Sequence, residues 1–254
     1  MRFFIKLAYH GKPFSGWQIQ PDQPSVQETL QQALSTLLRK PIGITGAGRT
    51  DTGVHASQMY AHFDLDGETL NSPLIKDLVL FVHRLNAYLP GAISIRNILP
   101  VLKDAHARFD ATQRTYEYHI ARKKDPFAEE LAWHYSLPLD IERMNSAAQI
   151  LMQYQDFECF SKSKTDVKTY LCDLKSAKWE LHQDRLLFTV SADRFLRNMV
   201  RAIVGTLIEV GLKKLEVADM HRIVKSKDRG KAGASVPAHG LFLTQIDYPQ
   251  AIFK

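Results

Sequence analysis

A strand-like alternation that gives way to a helical stripe, and later restarts, constrains this chain more than any other feature. Phe3 to Tyr9 alternate as a half-buried strand does. Ser25-Val26-Gln27-Glu28 then has the spacing of a helix capping box, in front of Val26, Leu30, Leu34, Leu37 and Leu38 at helical intervals. Strands over 58–65 and 93–101 bracket a predicted helix over 74–89, whose Leu74, Leu78, Phe81, Leu85 and Leu89 share one face. The same grammar returns as a strand over 115–121, a helix over 141–154 and strands over 174–181 and 186–191. A helix over 195–210 closed by Gly211, with Arg194, Arg197 and Arg201 around its first turns, and a last strand over 241–248 complete it. The pattern restarts near 108–114, which predicts an α+β chain of two similar α/β halves, 1–108 and 109–254, with mainly antiparallel sheets flanked by helices. A cleft between such halves is where the three arginines would be used.

Composition sets outer bounds. With 254 residues, 45% hydrophobic and 24% charged, the chain can bury one large core or two small ones, and disorder is not expected. The two cysteines, Cys159 and Cys172, form neither a C-x-x-C motif nor a disulfide framework. No apolar run reaches the roughly 18 residues of a membrane span, and the first residues lack the apolar core and cleavage site of a signal peptide. These features point to a reducing cytoplasm. The net charge of +6 favours a polyanionic partner, because clustered Lys and Arg release counterions condensed on nucleic acid. Two clusters stand out against the simpler reading of a solvated face: Arg222, Lys225, Lys227, Arg229 and Lys231, and Lys162, Lys164 and Lys168.

The stretch from Gly46 to Ala56, GAGRTDTGVHA, sets one carboxylate in a glycine frame, two residues after Arg49 and four before His55. Asp51-Thr52-Gly53 spells the D-T-G of aspartic proteases, but a protease dyad needs two carboxylates sharing a proton. No second D-T-G exists here, so a homodimer would have to supply it, and Arg49 favours an ionised Asp51. A P-loop lacks its Gly-Lys-Ser/Thr, and the glycine spacing does not make the dinucleotide fingerprint. Asp51 and His55 could share a metal only on a helix, which Gly53 between them discourages; no metal and no cofactor is expected. What remains is a single ionised Asp presented on a loop beside a guanidinium.

That stretch resembles the signature of the TruA-type tRNA pseudouridine synthases, G-R-T-D-x-G-V-H-A. The resemblance runs nearly the whole chain, through Phe14-Ser15-Gly16-Trp17-Gln18-Ile19-Gln20, Ser25-Val26-Gln27, Leu85-Asn86-Ala87-Tyr88-Leu89-Pro90, His106-Ala107-Arg108-Phe109 and Arg114-Thr115-Tyr116-Glu117-Tyr118. It continues in Phe195-Leu196-Arg197-Asn198-Met199-Val200-Arg201 and Gly240-Leu241-Phe242-Leu243. Departures are Thr52 in place of the usual Ala, Gly91-Ala92-Ile93 where an Asp commonly precedes Ile, and a loose match over Ser235–His239.

The resemblance implies the pseudouridine synthase fold and an isomerase that breaks the N-glycosidic bond of a uridine, turns the uracil and rejoins it through carbon. It implies no cofactor. Asp51 takes the place of the family nucleophile, attacking the uracil ring or the ribose, or assisting through a glycal. Arg201 would pair with it: sealing the pocket raises a carboxylate pKa by as much as ~3–5 units, and an adjacent cation restores roughly 1–3. Tyr116 would stack on the flipped uracil and serve proton transfer, Arg49 would enter the stem and help extrude the base, and His55, Leu243 and Phe242 would line the pocket. Arg197, Lys225, Lys227 and Arg229 would hold the tRNA backbone. The implied substrate is the tRNA anticodon stem-loop at positions 38, 39 and 40, bound across a homodimer. A binding-only RNA protein or RNA chaperone on the same fold would need the basic surface but not Asp51.

Overall fold

Strand β1 (Arg2–Tyr9) is the spine of the first packed unit, pairing antiparallel with β3 (His55–Asp64) on one side and β4 (Ile93–Pro100) on the other. Its Phe3, Phe4 and Ile5 are all buried, so this central strand is covered on both faces. Between β1 and β3 the computed structural model places α1 (Val26–Leu38) and the two-residue β2 (Thr45–Gly46), which hairpins onto β3. Ser25 caps α1 by accepting from the Glu28 amide at 3.2 Å, and Leu30 and Leu34 are fully buried. Truncating either to Ala would cost about 2–5 kcal/mol.

Residues 1–163 and 167–254 are described. Met1–Thr112 and Leu243–Lys254 make up the first unit, and Gln113–Phe242 the second. The C-terminal segment, expected with the second half, packs with the first: Val101 bridges Phe253, the Leu102 amide donates to Ile252, and the Thr112 amide donates to Asp247. Sequence alternation identifies a strand but not its partner, which is why this return is invisible in it.

After β3 come three short or medium helices, α2 (Gly67–Leu70), α3 (Pro73–Lys76) and α4 (Leu78–Tyr88). The predicted helix over 74–89 is therefore two. Asp77 leaves helical geometry (φ −122°, ψ 89°) and its carboxylate accepts from the Leu80 amide at 2.9 Å, starting α4 afresh. α4 packs on β4 and α1, burying Phe81 and Leu85.

In the second unit β5 (Gln113–Ala121) pairs antiparallel with β8 (Arg185–Ala192), which pairs antiparallel with β7 (Leu174–His182). Short β6 (Trp133–His134) adds to β5 in parallel. Helix α5 (Ile141–Leu151) packs on β7 and against both α6 (Met199–Gly211) and α7 (Asp219–Ser226). Strand β9 (Leu241–Asp247) carries the chain back to the first unit. α6 starts four residues later than its apolar pattern predicts. Asn198 takes a left-handed φ of +67° and its Nδ2 donates to Ser235 Oγ at 2.6 Å, so Arg194 and Arg197 lie ahead of the helix and Arg201 alone is on it. All of α6 except Arg201 and Glu209 is buried, as befits a helix apolar around most of its circumference. Among the described residues no helix is long and apolar enough to cross a membrane.

Candidate active site

Asp51 lies in the loop between β2 and β3, and three neighbouring features fix that loop. The Thr50 hydroxyl bonds the Tyr9 hydroxyl at 2.9 Å in a buried setting, tying the loop to the end of β1. The Trp17 amide donates to Thr50 O at 3.3 Å, and the Val54 amide closes a turn back to Asp51 O at 3.1 Å. Gly16, at φ +93°, makes the approach possible: a Cβ there would sit 2.4 Å from Thr50 O. The Phe14-to-Gln20 motif thus has a physical task, to cradle the loop from outside. Thr50 and Val54 are buried, whereas Asp51 is half-buried and Arg49 exposed. The main chain on either side of this half-buried carboxylate is held in place.

His55, expected on the pocket wall, works from beneath. Its ring is 1% exposed, its Nδ1 accepts from the Gly11 amide at 3.0 Å, and the His10 ring stands edge-on 4.5 Å away. An Nδ1 that accepts carries no proton, so the bond fixes the tautomer as well as the loop. Leu243, also expected to line the pocket, is buried at 2% exposure, while Phe242 is half-buried with its ring 4.6 Å from His119.

In the second unit Tyr116 and Tyr118 point to one face of β5 but differ in setting. Tyr118 is fully buried and donates to Pro237 O at 2.9 Å; burial pushes its phenol well up, against a smaller lowering by the Arg201 charge. Tyr116 keeps exposed surface and stands edge-on to Phe195 at 5.1 Å and 85°. Of the two, Tyr116 is the ring with surface to offer, and Tyr118 belongs to the core.

Arg201 sits in the first turn of α6, half-buried, with Nε donating to Val236 O at 2.7 Å and its own carbonyl accepting from the Val236 amide at 3.3 Å. A cation there faces the positive end of the helix dipole, so helix stability does not explain the residue. Val236 belongs to a strap, residues 232–237, that crosses α6 so closely that a Cβ on Gly205 would lie 1.8 Å from Ala234 O. The Gly233 amide donates to Thr206 Oγ1 at 2.8 Å. Gly205 and Thr206 escaped the sequence reading; a glycine inside an otherwise apolar helix was the available signal.

The expected backbone-binding cations fare differently. Lys225 and Arg197 are exposed, the Lys162 amide donates to Arg197 O, and Lys164 lies outside the described residues. Arg222 pairs with Asp219 at 2.9 Å and Lys227 with Asp156 at 2.6 Å. Arg229 is turned inward, donating to Ala232 O at 3.3 Å, Gly233 O at 3.0 Å and Ser235 Oγ at 2.9 Å. Among the described residues no three His, Cys, Asp or Glu side chains gather as a metal site. Burial pushes the Cys159 and Cys172 thiols up to about 12, which marks them as packing residues.

Known proteins resemble this chain over nearly its whole length. The family model for tRNA pseudouridine synthases matches residues 147–249, a span holding Arg201, the strap and β9. Over 252 residues the chain is 51% identical to tRNA pseudouridine synthase A of Parabacteroides distasonis, covering 99% of this chain and 98% of that protein. The chain belongs to the tRNA pseudouridine synthase A family. It is also 51% identical over 254 residues to tRNA pseudouridine synthase A of Bacteroides fragilis, covering 100% of this chain and 98% of that protein. With the namesake of Bacillus licheniformis it shares 37% over 252 residues, covering 98% and 99%. Mainly antiparallel strands with flanking helices are the pseudouridine synthase fold.

Proposed function

We propose that this chain isomerises uridine to pseudouridine in the anticodon stem-loop of tRNA, at positions 38, 39 and 40, with Asp51 as the covalent catalyst. One observation carries the reading: a half-exposed carboxylate stands on a loop whose flanking Thr50 and Val54 are buried and hydrogen-bonded. Such a group is presented without being free to swing away, which is the preorganisation a nucleophile needs. The reaction breaks the N1–C1′ bond, turns the uracil, forms the C5–C1′ bond, releases the C5 proton and returns one to N1. Neither oxidation nor a group donor enters that balance.

Arg201 supplies the cation that keeps Asp51 ionised once a base excludes water. Tyr116 gives the flipped uracil a flat wall against which it turns, and exposed Arg49 helps extrude it at the expense of a few kcal/mol of stacking and pairing. Arg197 and Lys225 contact phosphates. His55 and Leu243 act on the site from the interior, as supports of the loop and of β9. We place the enzyme in the cytoplasm, acting as a homodimer on tRNA. The test is to incubate the purified protein with unmodified tRNA transcripts and map carbodiimide-dependent reverse-transcription stops. Stops at 38–40 support the reading; a transcript without any new stop overturns it.

A further inference from the structure

Arg229 stands in a basic cluster and reads from sequence as one more phosphate contact. Its guanidinium is committed elsewhere: Nη1 donates to Ala232 O and Gly233 O, and Nη2 to Ser235 Oγ. Those acceptors are successive points on the strap, and Ser235 Oγ is also the acceptor for Asn198 Nδ2, on the residue that starts α6. One residue further along, Val236 O receives Arg201 Nε and the Val236 amide donates to Arg201 O. On its other side the strap is pinned by Thr206 Oγ1 and by the near-contact at Gly205, and beyond Val236 by the Tyr118 hydroxyl on Pro237 O. A planar five-donor group is suited to such a task, since it can hold several carbonyls in one fixed geometry where an ammonium cannot.

We infer that Arg229 is a positioning residue, which sets the strap at residues 232–237 and through Val236 O sets the direction of the Arg201 guanidinium. It is not a contact for RNA phosphate. The chain of contacts is short and directional: Arg229 to the strap, and the strap to Arg201 Nε. The inference rests on the reading of Arg201 as the cation that serves Asp51.

The two roles separate in kinetics. A phosphate contact works through charge, so Arg229→Lys would be nearly harmless and Arg229→Gln would raise KM for tRNA and reduce its salt dependence. A strut works through geometry. Arg229→Lys and Arg229→Gln should both lower kcat, the latter on the order of a hundredfold, as for a catalytic group displaced by about an ångström, with KM and its salt slope unchanged. Gly205→Ala, which alters no charge, should reproduce that pattern by displacing the strap from the helix side. Ser235→Ala, a milder change, decides the matter if either variant fails to fold: lower kcat at constant KM supports the strut, and unchanged kcat overturns it. Arg201→Leu is measured alongside. If Arg201→Leu keeps its turnover, the reading of Arg201 fails. If it is inactive while Arg229→Gln keeps kcat and loses salt dependence, the inference about Arg229 alone is overturned.

Discussion

Asp51 is fixed by main chain and buried hydroxyls, whereas Arg201 is fixed by a strap that side chains tie down. At the Asp51 loop, the Tyr9–Thr50 hydroxyl bond, the Trp17 amide and the close pass at Gly16 all act on Thr50, next to the carboxylate's own residue. At Arg201 the side chain itself is bonded, by Nε to Val236 O, and the carbonyl owes its place to Arg229, Ser235 and Thr206. In both regions a glycine permits the crossing: Gly16 under Thr50, Gly205 under Ala234. Each region is therefore vulnerable at a different level. The proposed nucleophile should be lost through backbone displacement, and the proposed cation through side-chain changes some distance away.

The largest effect expected from a change outside the proposed catalytic groups is Gly16→Ala. Its φ of +93° alone costs an L-residue about 1–2 kcal/mol, and the Cβ would be 2.4 Å from Thr50 O, so the loop must move. Turnover should be lost while the second unit stays folded, as read by hydrogen exchange of α6 and β8. Parent-like turnover would mean that the loop is not set from the Gly16 side.

Next in size is an acid sensitivity expected in the first unit. Burial first, then the Arg2 and His106 charges, push His62 on β3 down to about 4 from an ordinary 6.5, and its Nδ1 accepts from the Ala107 amide at 3.1 Å. The folded state resists protonation there and the unfolded state does not. Stability should therefore be complete above pH 6.5 and fall by on the order of 3 kcal/mol as pH drops through 6.5 toward 4. Urea midpoints against pH measure this, and His62→Asn should flatten the slope; an equal slope in that variant would move the acid sensitivity elsewhere.

Tyr116→Leu sharpens the comparison within β5. It should weaken transition-state binding by about 1–3 kcal/mol, the range for base–aromatic stacking, with little change in melting temperature. Tyr118→Phe should instead lower the melting temperature, through loss of its bond to Pro237 O. Equal effects from the two would erase the distinction drawn between wall and core. Smallest is Lys225→Gln, which should lower the slope of log affinity against log salt by roughly 0.7–0.9, one phosphate's worth, a change absent from Arg229→Gln.

Much of the fold is legible in the sequence because it is local. Alternation gave β1, spacing gave α1, and Ser25 gave its cap. What escaped is decided by single residues acting against a pattern: Asp77 cuts a helix whose apolar stripe runs through it, and left-handed Asn198 delays another. The proposed nucleophile was legible as one acid in a glycine frame, singled out by the resemblance of that stretch to a family signature. The supports of the site were not, because they depend on where distant segments meet. Arg229 reads as surface charge until the carbonyls of 232 and 233 are seen around it, and His55 reads as a pocket residue until its Nδ1 is seen on Gly11.

Asp51 is proposed as the covalent catalyst, with tRNA binding residing elsewhere. Asp51→Asn keeps size and loop geometry while removing charge and nucleophilicity. Release of tritium from C5-labelled uridine in tRNA, measured beside tRNA affinity for the same preparation, separates the two functions. The expected result is no detectable release with affinity close to that of the parent, because phosphate contacts supply most of the binding. Substantial release by Asp51→Asn would contradict the claim and leave the loop a structural element.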